Sequence, residues 1–283
     1  MRVSISVTNY SWEGGPAKHL DAVARTADET GIDTVWVADH LIQADPMVDP
    51  THTEHLEALT TLGFLAARTE RVRLGTMVAC AMFRPPAVLI KAISTLAVLT
   101  EGRVWFGVGA GHQAEEARAM GLPYPETARR FEYLEDTLLL ARQMWAGDDS
   151  PFQGRQVRLE SPVSSPNPAV RPRILVGGAG ERRTLPLVAR HADACNVFDI
   201  PDGDATVRRK LAVLASLCEA VGRPYEEIEK TISTRLLPGE SGAAFAERCS
   251  RFADLGIDHA IVITRDPWTP ETIRTTARAT TIH

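Results

Sequence analysis

Three stretches of this 283-residue chain place groups able to bind or move charge at spacings with a physical meaning. Gly177-Gly178-Ala179-Gly180 runs into Glu181-Arg182-Arg183 and then into a helical pattern. A glycine-rich loop at a helix start exposes backbone N–H groups where the helix dipole favours a phosphate or another anion. The same glycines would also make a ligand-free tight turn, because glycine bends most freely. The two arginines favour the anion. Asp39-His40 and Gly109-Ala110-Gly111-His112 each set an imidazole just after a β-rich run. Imidazoles titrate near neutrality, so either could pass a proton or orient a substrate. Asp39 could instead hold His40 in a purely structural pair. The stretch from Asp39 through Asp45, Asp49 and His52 to His55 is rich in metal-ligand types. A metal site at strand ends draws on several strands, however, and the first strand offers no ligand; no metal is expected.

The elements that must position these groups alternate from end to end. Strand patterns cover Val3–Thr8, Thr34–Ala38, Val72–Ala79, Val104–Val108, Ile174–Val176, Ala194–Phe198, Thr231–Leu236 and Ala260–Ile263. Helical patterns follow each of them. In the clearest, Phe131, Leu134, Leu138, Ala141 and Trp145 fall at 3-4-3-4 spacing on one face. The stretch Asp148–Pro172 loses the rhythm, is rich in Pro and Ser, and reads as an insertion beside the mouth with a hairpin at Phe152–Arg155. Eight βα units in one domain spanning residues 1–283 predict a (β/α)8 TIM barrel, whose chemistry sits on the loops after the strands. A doubly wound sheet shares the alternation, but Gly107-Val108-Gly109-Ala110-Gly111-His112 lacks the third glycine of a dinucleotide fingerprint.

Composition limits the partners. Hydrophobic residues make up 44% and charged residues 24%, the balance of a globular domain. A net charge of −5 gives no basic field for nucleic acid or an anionic membrane. No apolar run approaches the ~18 residues of a membrane span, and Met1-Arg2-Val3-Ser4-Ile5 enters a strand directly, so a cytoplasmic protein is expected. The four cysteines are scattered, with no zinc or disulfide spacing.

Residues 33–40 (DTVWVADH), 72–111 (VRLGTMVACAMFRPPAVLIKAISTLAVLTEGRVWFGVGAG), 129–147 (RRFEYLEDTLLLARQMWAG) and 173–198 (RILVGGAGERRTLPLVARHADACNVF) together resemble the luciferase-like monooxygenase superfamily. The likeness is greatest to its actinobacterial, deazaflavin (coenzyme F420)-dependent oxidoreductases. The resemblance implies a flavin or deazaflavin at the barrel mouth and a non-prolyl cis peptide at Met77–Val78 behind the ring. It implies cofactor contacts at Asp39, Met77, Val78, Ala110, Gly111, His112, Gly177, Gly178, Ala179 and Gly180. His40 matches the histidine near the reactive face. The sugar-phosphate dehydrogenase branch, by contrast, has a catalytic glutamate where this chain has His112 and a tryptophan where it has Ala44. The glucose-6-phosphate reaction is therefore not the expectation here.

The expected activity is hydride transfer between F420 and a small hydrophobic organic substrate, with His40 catalytic, in a possible homodimer. An FMN- and oxygen-dependent monooxygenase is the alternative, and a non-catalytic flavin- or deazaflavin-binding protein the third possibility. Trp12, Ile42, Met82 and Phe83, with Trp268, are the expected substrate lining.

Overall fold

The computed structural model describes residues 1–202 and 204–281. In chain order the elements are β1 (Arg2–Val7), α1 (Pro16–Glu29), β2 (Thr34–Val37), α2 (Ala58–Ala66), β3 (Arg73–Thr76), β4 (Ala79–Cys80), α3 (Pro86–Leu99), β5 (Val104–Gly109), α4 (Ala114–Ala119) and α5 (Thr127–Trp145). They continue with β6 (Phe152–Gln153), β7 (Arg158–Leu159), β8 (Arg173–Val176), α6 (Thr184–His191), β9 (Ala194–Phe198), α7 (Ala205–Ala220), β10 (Glu229–Arg235), α8 (Gly242–Asp254), β11 (His259–Ile263) and α9 (Pro270–Ala277).

The main sheet runs β3-β2-β1-β11-β10-β9-β8-β5-β4, and a β3–β5 pairing closes it into a cylinder. Every pairing within it is parallel. Since β3 and β4 are two halves of one interrupted strand, the closed sheet is the expected (β/α)8 barrel. The interruption falls at Met77–Val78, whose peptide bond is cis. Beyond it only β5 continues the ladder, through Ala79 opposite Val108.

Sequence periodicity explains the layers. Val35 and Val37 of β2 pack outward under the helices, in the same cluster as Leu20, Val23, Ala24 and Ala27 of α1. Trp36, between them, points to the other face and joins Trp105, Leu175, Ala194 and Ile261 inside the barrel. Met77 and Val78 pack on this inner cluster and so form the floor of the mouth. A Cβ on Gly75 would stand 2.7 Å from the Trp36 ring, so only glycine fits there.

The second helix begins at Ala58 because the Glu57 carboxylate accepts the Thr60 N–H at 2.7 Å and caps it. Helix α6 begins at Thr184, which leaves 177–183 as an open loop. The 148–172 segment contains the expected hairpin, β6 with β7. Buried Asp136 of α5 holds it by accepting the backbone N–H groups of Arg155, Gln156 and Val157. That anchorage places the hairpin on the flank of α5, and none of the segment lines the mouth cavity. Among the described residues, no helix is long and apolar enough to cross a membrane.

Candidate active site at the barrel mouth

A cavity of about 510 Å³ opens at the C-terminal ends of the strands. A larger hollow of about 820 Å³ lies at the opposite end, but its Arg and Lys side chains are already paired with carboxylates. There Arg2 and Arg173 each meet Glu229 at 2.6 Å, and Lys230 meets Asp258 at 3.1 Å. Barrel enzymes keep their chemistry at the C-terminal face, and the expected site residues gather at that face.

His40, directly after β2, lines the mouth cavity. Its Nδ1 lies 2.8 Å from Glu116 Oε2, and that carboxylate is almost wholly buried. The other oxygen of Glu116 accepts the backbone N–H groups of Leu41 and, at 3.3 Å, Ile42. Among the described residues the second ring nitrogen of His40, Nε2, has no hydrogen-bond partner, and it is not sealed off from solvent. His112 meets His40 edge-on with ring centroids 5.4 Å apart, and His55 does so at 6.0 Å. Burial, reinforced by His40, lowers the pKa of both His112 and His55 below the ordinary imidazole range. Both are therefore neutral at pH 7.

Asp39 is not the partner of His40. Its carboxylate takes two bonds from the Arg84 guanidinium, each 2.8 Å, and one from the Cys80 N–H at 2.9 Å. Arg84 also reaches Glu57. Burial opposes a charge on Arg84, but Asp39 and Glu57 outweigh it and hold the guanidinium above its ordinary value. This lock ties β2 to the end of β4. Burial also pushes the nearby Cys80 thiol up to about 11, which makes it a poor nucleophile at neutral pH.

The glycine loop has two parts. Gly177 and Gly178 line the cavity with Thr184, while Ala179 and Gly180 carry the loop away from it. A Cβ on Gly177 would stand 2.6 Å from Val78, and Gly178 has φ +93°, so the interrupted third strand and the turn each demand glycine. Gly107 and Gly109 face the same constraint from Thr76 and Val78. Among the described residues, the N–H groups of Gly178, Ala179 and Gly180 donate to no backbone acceptor. Opposite them, Arg130 donates to the carbonyls of Ala110 (3.2 Å) and Gly111 (2.5 Å) and to the Tyr124 hydroxyl, and it stacks on the Tyr124 ring.

Of the expected substrate lining only Phe83 borders the cavity. Trp12 is buried, donates to the Trp268 carbonyl at 2.8 Å and stacks on His19. Trp268 is buried too and donates to the Ser6 carbonyl. Both indoles found backbone acceptors and serve the core. Met82 is buried away from the cavity, and Ile42 is exposed outside it because Glu116 holds its loop by the backbone. The sequence reading missed Glu116, Arg130, Phe131 and Phe198, all of which line the mouth. Phe131 was legible only as the first member of a core stripe. Glu116 carried a signal: two acids four residues after the glycines of the fourth strand. No group of three His, Cys, Asp or Glu among the described residues could hold a metal ion.

A closed (β/α)8 barrel with a mouth cavity floored by an interrupted third strand, flanked by a glycine loop and a histidine, defines the class. The chain belongs to the luciferase-like monooxygenase family, whose sequence profile matches residues 1–280. It is 32% identical over 243 residues to an F420-dependent glucose-6-phosphate dehydrogenase of Kineococcus radiotolerans, covering 86% of this chain and 70% of that one. It is 31% identical over 224 residues to the enzyme of the same description from Microbacterium testaceum, covering 78% of this chain. In that second case the match spans 64% of the relative's length. An F420-dependent hydroxymycolic acid dehydrogenase of Mycobacterium tuberculosis is 29% identical over 239 residues, covering 83% of this chain and 62% of that one. The fold matches an F420-dependent secondary alcohol dehydrogenase, solved with an F420-acetone adduct, at TM-score 0.82 and 17% identity, covering 99% and 98% of the two chains.

Proposed function

We propose that this protein is an F420-dependent oxidoreductase acting on a small, uncharged alcohol or carbonyl compound. The observation that carries the reading is the pairing, across one cavity, of His40 with a glycine loop whose unpartnered N–H groups begin at the cavity wall with Gly178 and continue past it at Ala179 and Gly180. Those donors suit the cofactor phosphate, and Met77 and Val78 offer the flat apolar floor that a tricyclic ring needs. Asp39 acts through Arg84 and Cys80 to hold that floor in place. Ala110, Gly111 and His112 would run beside the cofactor's side chain.

When bound, a deazaflavin supplies a carbon that accepts or donates hydride. The protein then has three tasks. The cavity walls hold the substrate carbon against the cofactor face and exclude water. In the oxidative direction Nε2 of His40 would take the alcohol O–H proton as the C=O bond forms and the hydride passes to the bound cofactor. In reduction the same nitrogen returns the proton. Neutral His112 is placed to hydrogen-bond the substrate oxygen.

Charge separates this pocket from one for sugar phosphates. Among the described residues Arg130 is the one Arg or Lys in the lining; its terminal nitrogens donate to Ala110, Gly111, Tyr124 and Thr127, and its Nε–H alone is without a partner. Phe83, Phe131, Phe198 and Ile263 give the remaining wall an apolar character. The test is anaerobic mixing with oxidised F420, read by loss of its visible absorbance. Secondary alcohols should bleach it and glucose 6-phosphate should not. Bleaching by glucose 6-phosphate alone would overturn the substrate class. Oxygen-dependent turnover with FMN and none with F420 would overturn the cofactor.

A further inference from the structure

We infer that Glu116 is the positioning residue that makes His40 the proton-transfer group of the mouth, by holding its proton on Nδ1 while tying the His40 loop in place. The inference rests on the oxidoreductase reading above and adds a residue and a mechanism to it. An ionised carboxylate can only accept hydrogen bonds, so the 2.8 Å contact requires Nδ1 of His40 to carry the hydrogen. In the neutral ring the lone pair is then on Nε2, the nitrogen that no protein group occupies. Glu116 is buried on the first turn of α4, and its other oxygen is already bound by Leu41 and Ile42 N–H. It therefore cannot swing away to solvent, and the imidazole has one orientation.

The same carboxylate decides which histidine takes the proton. The groups that face His40 are Glu116 from α4, His112 from the loop after β5, His55 from the segment before α2, and its neighbour Asp39. Asp39 is neutralised by Arg84, and His55 and His112 have no carboxylate bound to their rings. Only at His40 does a new positive charge form against a fixed negative one. His112 remains a neutral donor or acceptor beside it.

Glu116→Gln tests this and keeps the loop tie, since the amide oxygen still accepts from Leu41 and Ile42. Its NH2 group would donate to Nδ1 and force the hydrogen onto Nε2, the wrong tautomer. The analogous loss of tautomer control in a serine-protease triad costs about 10⁴-fold. Saturated turnover should fall about 10²–10⁴-fold, with F420 affinity and KM within a few-fold of wild type. The acidic limb of the oxidation rate profile should move to lower pH, because the imidazolium loses its counter-charge. A loss of folding or of cofactor affinity with an unchanged pH profile would make Glu116 a loop tie only. A second readout needs no variant of Glu116. The ¹⁵N spectrum of histidine-labelled wild-type protein, with the His40 signals assigned by their loss in His40→Gln, should show a neutral ring protonated on Nδ1. A ring protonated on Nε2 overturns the inference. Should His40→Ala itself leave turnover intact, the fault lies with the functional reading and not with Glu116.

Discussion

Replacing Gly177 by alanine probes the join between barrel geometry and cofactor site. The added Cβ would meet Val78 at 2.6 Å from Cγ2 and 2.8 Å from Cγ1, distances that no real pair of carbons sustains. Val78 is β-branched, packed on the inner barrel cluster and borders the mouth, so relief of the clash would push it toward the cavity. Overpacking of this kind costs about 1–3 kcal/mol. At about 2 °C per kcal/mol for a chain of this size, Tm should fall by roughly 2–6 °C. The displaced Val78 should also intrude on the floor of the mouth and weaken F420 binding. Val78→Ala removes both of the clashing methyls. The double variant should therefore be more stable than the sum of the singles by about 0.5–3 kcal/mol, the range for residues in contact. Urea unfolding of all four proteins in the cycle measures the coupling. Additive effects, or a Gly177→Ala variant with wild-type Tm and affinity, would refute the packing argument.

His40→Ala should retain F420 and lose about 10²–10⁴-fold in saturated turnover, or about 3–5 kcal/mol of transition-state stabilisation; a saturated rate within a few-fold of wild type would leave the residue as scaffold. At the other end of the barrel, burial alone would raise Glu229. The His259 hydrogen bond and the charges of His259, Arg2 and Arg173 outweigh it and hold the group at about 2 against an ordinary 4.5. A carboxyl depressed in the folded state contributes stability that is complete above its unfolded value and is lost as pH falls from about 4.5 toward 2. The contribution is at most about 3 kcal/mol. Urea midpoints across that window should slope in wild type and flatten in Glu229→Gln.

The barrel was legible because strand and helix patterns alternate eight times and each apolar period faces one layer. Trp36 shows the limit of that reading. Its strand reads as uniformly apolar, and only closure of the cylinder separates it, inside, from Val35 and Val37 outside. His40, His112 and the glycine loop were legible as chemistry at strand ends. Their partners were not, because partnership is set across the mouth and not along the chain. Asp39 adjoins His40 in sequence, yet its side chain is drawn to Arg84, 45 residues away. The real partner of His40 comes 76 residues later, from a short helix. Trp12 and Trp268 misled for a related reason: an indole suits a substrate wall and a buried core equally, and the choice depends on whether a backbone acceptor is in reach.

A phosphorylated deazaflavin at this mouth is the ligand on which the proposed chemistry depends. Titration of the purified protein with F420, with the same deazaflavin lacking its phosphate-bearing tail, and with FMN measures that binding most directly. Tight F420 binding that weakens without the phosphate, and weakens again in Gly178→Val at the φ +93° turn, is the predicted result. Equal affinity for F420 in wild type and Gly178→Val, or binding of none of the three, would rule out a phosphate site on this loop.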